Sequence, residues 1–521
     1  MKLLALRLCA HDSNLSLYDD GKITHIKTER INQEKHHFYN NLWEWKFDLP
    51  DLLGVTLDEI DEICIVVDDH KHRLANPRVD VIAQPFHGLK VDCPVYKLEH
   101  HTAHALSAWM IEDTEYQFVF DGFGEEYDVD GDHEGNIWTV FKDYQIINRK
   151  NCRSIIKTDV GGIDSYYPSL GVLHDSVGKF CEIDGHTHDR SGKLMSLQTY
   201  GNFDQGYYES HIKGKTVEDL DEIYLPEAWI NYIGNRLVAR HNLLDWARTV
   251  NESIPEILIE FFERHGATKE SSILFSGGCA QNILWNTELK KHFPNLVVAP
   301  HSADEGLSLG ALKYLMDKND VTGEFVHPFP YAQEDQAPEE LPSEQTIKAV
   351  AQLLADGKIV GWYQGHGEIG PRALGNRSIL MRPDLPDGKL KINARVKNRE
   401  TYRPFGASVL KEHAETWFYF PHENPYMMYV SGVFNAERFP AICHVDKTCR
   451  HQTVSREQNQ PYYDLINEFY KLTNIPFVLN TSLNRGGKPI AGSVKDAVGL
   501  LEETALDYLV VGDTIMQKRK R

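Results

Sequence analysis

The sequence predicts a two-domain α/β protein, and three observations carry that prediction. A chain of 521 residues exceeds what one hydrophobic core ordinarily holds. Apolar runs of β type alternate with turns and helix-period segments along most of its length. Between Pro328 and Glu344, "PFPYAQEDQAPEELPSE" breaks the alternation with proline and acid and almost no aliphatics. The expected division is a domain over residues 1–330, a linker over 331–344 and a second domain over 345–521.

Each element follows from local pattern. "MKLLALRLCA" is a first strand; Arg7 and His11 interrupt its apolar character too early for a signal peptide. "LSLYDDGKITHI" is a hairpin, with Asp20 and Gly21 as its turn. "IDEICIVVDD" and "YQFVFDGFG" are strands that end in acid. "LEHHTAHALSAW" predicts a helix, and "IPEILIEFFERHG" predicts another with a glycine stop before the strand "SILFSGG". After the linker, "IKAVAQLLADGKIVGWYQG" restarts a helix–glycine–strand unit.

Composition narrows the class. Hydrophobic residues make up 41% and charged residues 25%, as in a soluble globular protein. No apolar run approaches the roughly 20 residues that span a bilayer, so no membrane partner is expected. The eight cysteines are scattered without a C-x-x-C pair, which fits reduced thiols in a cytoplasm. The net charge of −21 is uneven: residues 345–521 carry +6, and the rest −27. Such asymmetry suggests two parts with different ligands, the basic part suited to phosphates and the acidic part repelling long polyanions.

Four stretches carry chemistry. On a helix, His100 and His104 stand one turn apart on one face, a spacing that lets two imidazoles share a metal ion. Asp121 and Asp304, at strand and loop ends, are the natural further ligands. A His/Asp set suits iron, manganese or zinc. The same H-x-x-x-H spacing also serves simply to pack or cap a helix. In "FSGGCAQN", Gly277 and Gly278 precede Asn282, and in "DEGLSLGA" Gly306 opens a second glycine-spaced loop; both allow close backbone approach to a nucleotide, or a tight turn. The basic part holds "GEIGPRALGNRSIL", with Arg372 and Arg377, followed by Lys397, Arg399 and Arg403. His444 and Arg450, then Asn480, Asn484 and Arg485, extend this set. Arginine forks on glycine- and proline-framed loops match phosphate and carbonyl oxygens.

With these strings in place, the chain resembles the NodU/CmcH family of carbamoyltransferases. "HDSNLSLYDDGKI", "EHHTAHALSAW", "GKLMSLQTYG", "FSGGCAQN", "GPRALGNRSIL", "RETYRPFGASVL", "HVDKTCRHQTV" and "NTSLNRGGKPI" match in family order across nearly the whole chain. The resemblance implies an actin/Hsp70-like (ASKHA) two-lobed domain followed by a YrdC-like α/β domain. It implies that the second domain forms carbamoyl-adenylate from carbamoyl phosphate and ATP with Mg2+. The first domain would then pass the carbamoyl group to a hydroxyl, releasing AMP.

On this reading Arg372, Lys397 and Arg403 hold the reacting phosphates, with Arg377, Arg399, His444, Arg450, Asn480, Asn484 and Arg485 around them. His100, His104, Asp121 and Asp304 match the family's metal ligands, expected to hold Fe2+ or another divalent ion. Asp12, Gly277, Gly278, Asn282 and Gly306 are expected to bind the nucleotide in the transfer cleft. His11 is the expected proton acceptor, with a structural role as its alternative. His101 is expected to be a neighbour of the metal rather than a ligand.

The chain departs from the family pattern at Ser196 and Gln198, at Gly406 and Ala407, and at Cys279 and Gln281, which leaves the acceptor open. A small hydroxylated metabolite is favoured over a hydroxymethylated pyrimidine in a nucleotide or nucleic acid. A homodimer fits the family's build.

Overall fold

A computed structural model of the chain describes residues 1–9, 11–67, 78–82, 84, 89–122, 124, 126–129, 132–153, 168–184, 187–224, 240–419 and 422–518. It gathers into two compact units. The first comprises Met1–Gly21 and Phe38–Gly323, the second Lys22–His37 and Glu324–Arg521.

The first unit is built on two sheets with one topology. In the first sheet, Lys2–Leu8 runs antiparallel to Asn14–Asp19 and parallel to Glu62–Val67, which continues parallel into Val95–Leu98. In the second, Tyr116–Phe120 runs antiparallel to Asp132–Lys142 and parallel to Ile273–Ser276, which continues parallel into Leu296–Val297. A founding strand with an antiparallel neighbour on one side and parallel strands on the other thus occurs twice, as a two-lobed actin-like fold requires. The founding strands read as continuous apolar runs because both faces are covered. Five of the seven residues of Lys2–Leu8 are buried apolar side chains, and Arg7 is buried among them.

Local rules explain the flanking elements. The predicted turn is present, with Asp20 and Gly21 both at positive φ. The helix Arg240–Arg264 starts well before its apolar stretch and runs through Pro255. Proline has no N–H, so the Asn251 carbonyl one turn earlier loses its helical donor. Trp285 Nε1 supplies one instead, at 3.0 Å.

The second unit holds an eight-stranded mixed sheet. Its order is Ser431–Gly432, Thr448–Val454, Gly406–Leu410, Phe477–Ser482, Arg377–Met381, Val360–Tyr363, Tyr508–Val511 and Thr514–Gln517. The helices Glu344–Ala355 and Gln460–Thr473 pack against each other, and their apolar sides join the buried core of the sheet. The chain crosses between units after Gly323, earlier than the expected 330, and residues 22–37 lie with the second unit although sequence order puts them in the first. Hydrogen bonding gives the reason. The Arg30 guanidinium donates to the carbonyls of Gly370 at 3.1 Å and Glu368 at 3.4 Å, and Gln333 bridges to His25 and Gly367. The stretch expected as the inter-domain linker is therefore ordered within the second unit, with Tyr331, Gln333 and the side chain of Asp335 buried.

Among the described residues no helix is long and apolar enough to cross a membrane.

Candidate functional site

The first unit brings the two histidines and two aspartates together. Glu99 caps the helix His100–Leu106 by accepting from the Thr102 N–H at 2.6 Å, and its other oxygen accepts from Asn136 Nδ2 at 3.3 Å. This fixes the turn that presents His100 and His104. Their Nε2 atoms lie 3.1 and 3.2 Å from Asp121 Oδ2, and 3.5 and 3.6 Å from Asp304 Oδ1. One ligand atom from each of the four lies within 4.8 Å of the others, and all four residues are buried. His101 instead meets Thr139 Oγ1 at 2.9 Å and takes no part in the cluster.

The surroundings set the charge state. Burial pushes Asp121 and Asp304 up, but the facing imidazoles outweigh it and hold both carboxyls below their usual range; Arg7 and His11 add to the effect at Asp304. Burial lowers His104, yet hydrogen bonds to the two carboxylates raise it above the ordinary histidine value. The two carboxylates thus favour positive charge facing them, and a divalent ion fits this N2O2 donor set.

Asp304 is tethered on three further sides. Arg7 donates to its Oδ2 at 2.9 Å, His11 Nε2 lies 3.7 Å from the same oxygen, and Asn14 holds its main-chain carbonyl at 2.9 Å. Burial lowers the His11 pKa, but Asp304 and the Asp12 hydrogen bond at 2.9 Å together raise it. Sequence reading named His11 and Asp12 but missed Arg7 as a site residue. Its signal was present: an arginine inside a strand otherwise built for burial.

The glycines serve this cluster directly. Gly277 takes φ 93°, and a Cβ there would stand 2.2 Å from the Phe120 carbonyl. The Gly278 N–H donates to Asp121 Oδ1 at 2.9 Å, beside the Gly122 N–H at 2.7 Å, leaving Oδ2 for the histidines. Gly306 packs against His301 too closely for any side chain. Asn282 caps the helix Ile283–His292, accepting from Leu284 and Trp285, while its Nδ2 donates to Asn251. The expected cleft residues therefore act here on turn, cap and ligand geometry.

In the second unit Lys397, Arg399, Arg403, Arg372 and Arg450 form one electrostatic group. Burial, and then Arg399, Arg403 and Lys35, push the Lys397 pKa well below its usual value. Burial, and then Arg372 and Arg403, do the same to Arg450. Arg399 is lowered by burial and by Arg403, with Glu400 partly opposing. No carboxylate is among the strong influences on Lys397 or Arg450. Lys397 Nζ reaches Ser482 Oγ at 3.0 Å and Asn484 Oδ1 at 2.5 Å, oxygens that orient it without neutralising it. Arg403 meets Glu400 at 3.7 Å, but one carboxylate does not offset the cations gathered about a buried lysine, an arrangement that favours an anion.

The loop bearing Arg372 is held by its carbonyls. Asn480 Nδ2 donates to Ala373 O at 3.0 Å, and Gln452 and Tyr331 donate to Leu374 O at 2.8 and 3.0 Å. Asn480 therefore positions the cluster. Arg377 lies apart from it: the guanidinium is spent on Asp335 at 2.8 Å and on the carbonyls of Gln364 and Gly365, stacked 3.7 Å above the Tyr363 ring. Arg485 forms a half-exposed pair with Glu503 at 3.0 Å. His444 sits 3.8 Å from Asp446, its pKa lowered by burial.

Comparison with known proteins gives one family model, "Carbamoyltransferase C-terminus", matching residues 351–518. Nodulation protein NolNO of Sinorhizobium fredii is 31% identical over 567 aligned positions, covering 98% of this chain and 79% of that protein. Nodulation protein NolO of Bradyrhizobium diazoefficiens is 32% identical, covering 81% and 79% respectively. The 3'-hydroxymethylcephem-O-carbamoyltransferase of Streptomyces clavuligerus is 32% identical, covering 62% and 64%.

Proposed function

Because the chain belongs to the NodU/CmcH family of O-carbamoyltransferases, we propose that it activates carbamoyl phosphate with ATP and carbamoylates a hydroxyl of a small metabolite. The observation that carries the reading is the gathering of Arg372, Arg399, Arg403 and Arg450 around the buried Lys397. Carbamoyl phosphate and the Mg2+-bound triphosphate of ATP supply the anionic charge these residues lack.

Carbamoyl phosphate gives carbamate and phosphate with water. A carbamate oxygen attacks the α-phosphorus of ATP, and pyrophosphate leaves. The cations neutralise charge as phosphate and pyrophosphate depart. Arg372, Lys397 and Arg403 are the proposed phosphate-holding residues, with Arg399 and Arg450 completing the cluster, Asn484 orienting Lys397 and Asn480 the Arg372 loop.

Transfer belongs to the first unit. The acceptor oxygen attacks the carbamoyl carbon, the carbon–oxygen bond to AMP breaks, and the hydroxyl proton goes to His11. Unprotonated His11 has the basicity for this, since Asp12 and Asp304 raise its pKa. His100, His104, Asp121 and Asp304 would hold a divalent ion, Fe2+ in our reading, which when bound supplies Lewis acidity toward the carbamoyl oxygen. A small-molecule acceptor agrees with the −27 charge of residues 1–344, which disfavours a nucleic acid.

Pyrophosphate release from ATP, measured with and without carbamoyl phosphate and with no acceptor, tests the activation step. Release that depends on carbamoyl phosphate is expected. Equal release in both, or none from folded protein supplied with Mg2+ and Fe2+, would overturn the adenylate route.

A further inference from the structure

A second group of metal-type donors lies in the second unit, away from the cation cluster. His327 follows the short strand Glu324–Phe325, Glu334 lies in the proline- and acid-rich stretch, and His366 lies on the loop after the strand Val360–Tyr363. Sequence separation hid the group. The main chain assembles it: Gln333 bridges to both His25 and Gly367, and the Glu334 N–H donates to the His25 carbonyl at 2.8 Å. His327 Nε2 consequently stands 3.0 Å from Glu334 Oε2, and the two imidazole rings stack with centroids 3.4 Å apart. One ligand atom from each of the three lies within 4.8 Å of the others.

A second observation points the same way. Asp335 is buried beside the group, with His366 Nδ1 3.7 Å from its Oδ1. That oxygen is occupied by Arg377 at 2.8 Å and the Gly367 N–H at 3.0 Å. Oδ2 has no hydrogen-bond partner. A buried carboxylate oxygen without a donor is costly unless a cation or water meets it. Two imidazoles, one half-exposed carboxylate and a second carboxylate oxygen in reserve form a borderline nitrogen–oxygen set, the kind zinc takes.

We propose that His327, Glu334 and His366 form a second divalent-cation site, suited to Zn2+, that clasps residues 327–335 to the loop leading into Arg372. A shared ion has to lie near the plane of each ring, so uptake turns the imidazoles out of their stack. The clasp acts on the activation site through the loop. Glu368, two residues beyond His366, accepts from the N–H groups of Leu374 and Asn376 at 2.7 and 2.9 Å and so sets the course of the chain around Arg372.

Metal counting on the full chain, stripped with chelator and then equilibrated with Zn2+ alone, tests this. The wild type should retain one equivalent more than either His366→Ala or Glu334→Gln, and Co2+ should give a visible absorption band lost in both variants. Glu334→Gln keeps the side-chain shape, so its loss of metal cannot be put down to misfolding; its Zn2+ affinity should fall at least tenfold. The His104→Ala variant separates the two sites. Its remaining equivalent should disappear when Glu334→Gln is added, and Zn2+ should no longer raise the melting temperature of that double variant. A zinc count unchanged by both His366→Ala and Glu334→Gln overturns the proposal, whatever the first cluster does.

Discussion

In the first unit two carboxylates and two imidazoles face one another at 3.1–3.6 Å, so each charge has a neighbour of opposite sign. In the second, Lys397 is buried, and the strongest charged influences on it and on Arg450 are cations. The first cluster thus mixes carboxylates with imidazoles that can face them as donors, whereas the second stays strained until an anion arrives. The same principle, that buried charge must be paired, makes one site tolerant of its empty state and the other averse to it. Activity and stability should therefore respond in opposite ways at the cation cluster and together at the metal cluster.

The sharpest break of this contrast is Arg450→Met, which keeps much of the stem and removes the charge. Carbamoyl-phosphate-dependent pyrophosphate release should fall by about 10²–10³, the scale of losing one preorganised charge-stabilising donor. The ligand-free protein should nevertheless melt at a higher temperature, because a repelling cation is gone. Pyrophosphate at 100 times its Kd should stabilise the wild type by about 2.7 kcal/mol and the variant by much less. If the variant melts lower and binds pyrophosphate as well as the wild type, Arg450 is a structural residue and the contrast fails.

His104→Ala probes the other side. Metal should be lost from the first cluster and carbamoyl transfer with it, while pyrophosphate release continues at the wild-type rate. Metal analysis beside the two half-reaction assays reads this directly; a parallel loss of both half-reactions would mean the clusters are not separable in function. A smaller effect is expected from Gly278→Ala, whose Cβ would come within 2.7 Å of Asp121 Oδ1. The carboxylate must shift, and metal affinity should drop by roughly 10–100-fold, as for other losses of ligand orientation. An unchanged metal Kd would show that the Gly278 N–H does not aim Asp121.

How far the sequence foretold this differs between the two clusters for a physical reason. The H-x-x-x-H pair is set by helical geometry alone, so His100 and His104 could be read directly, and strand ends singled out Asp121 and Asp304. The Asp20–Gly21 turn was equally local. Arginine roles were not. Nothing in "GPRALGNRSIL" says that Arg377 meets Asp335 while Arg372 joins the cation group, because the decision lies 42 residues away from Arg377. Asn282 and Asn480 also looked like ligand groups, but their partners are a helix end and a loop carbonyl. The placement of residues 22–37 in the second unit depends on Arg30 reaching carbonyls 338 and 340 positions on, which no periodicity records.

The smallest effect sharpens the comparison by pH. Lys397 has a folded pKa well below its usual value, pushed there first by burial and then by Arg399 and Arg403. For a base with a depressed folded pKa, the unfolded chain takes up its proton first as pH falls. Stability is therefore lost as pH drops below the unfolded value of about 10.4, until the folded group also titrates. Between the folded and unfolded values this adds a positive slope of at most about 1.4 kcal/mol per pH unit. Lys397→Met should flatten the rise of ligand-free stability over that window. Saturating pyrophosphate should flatten it in the wild type too, since a bound anion restores the charged form. Urea melts at three pH values with and without pyrophosphate measure both. If the slope survives both treatments, another group is responsible and Lys397 is already compensated in the empty protein.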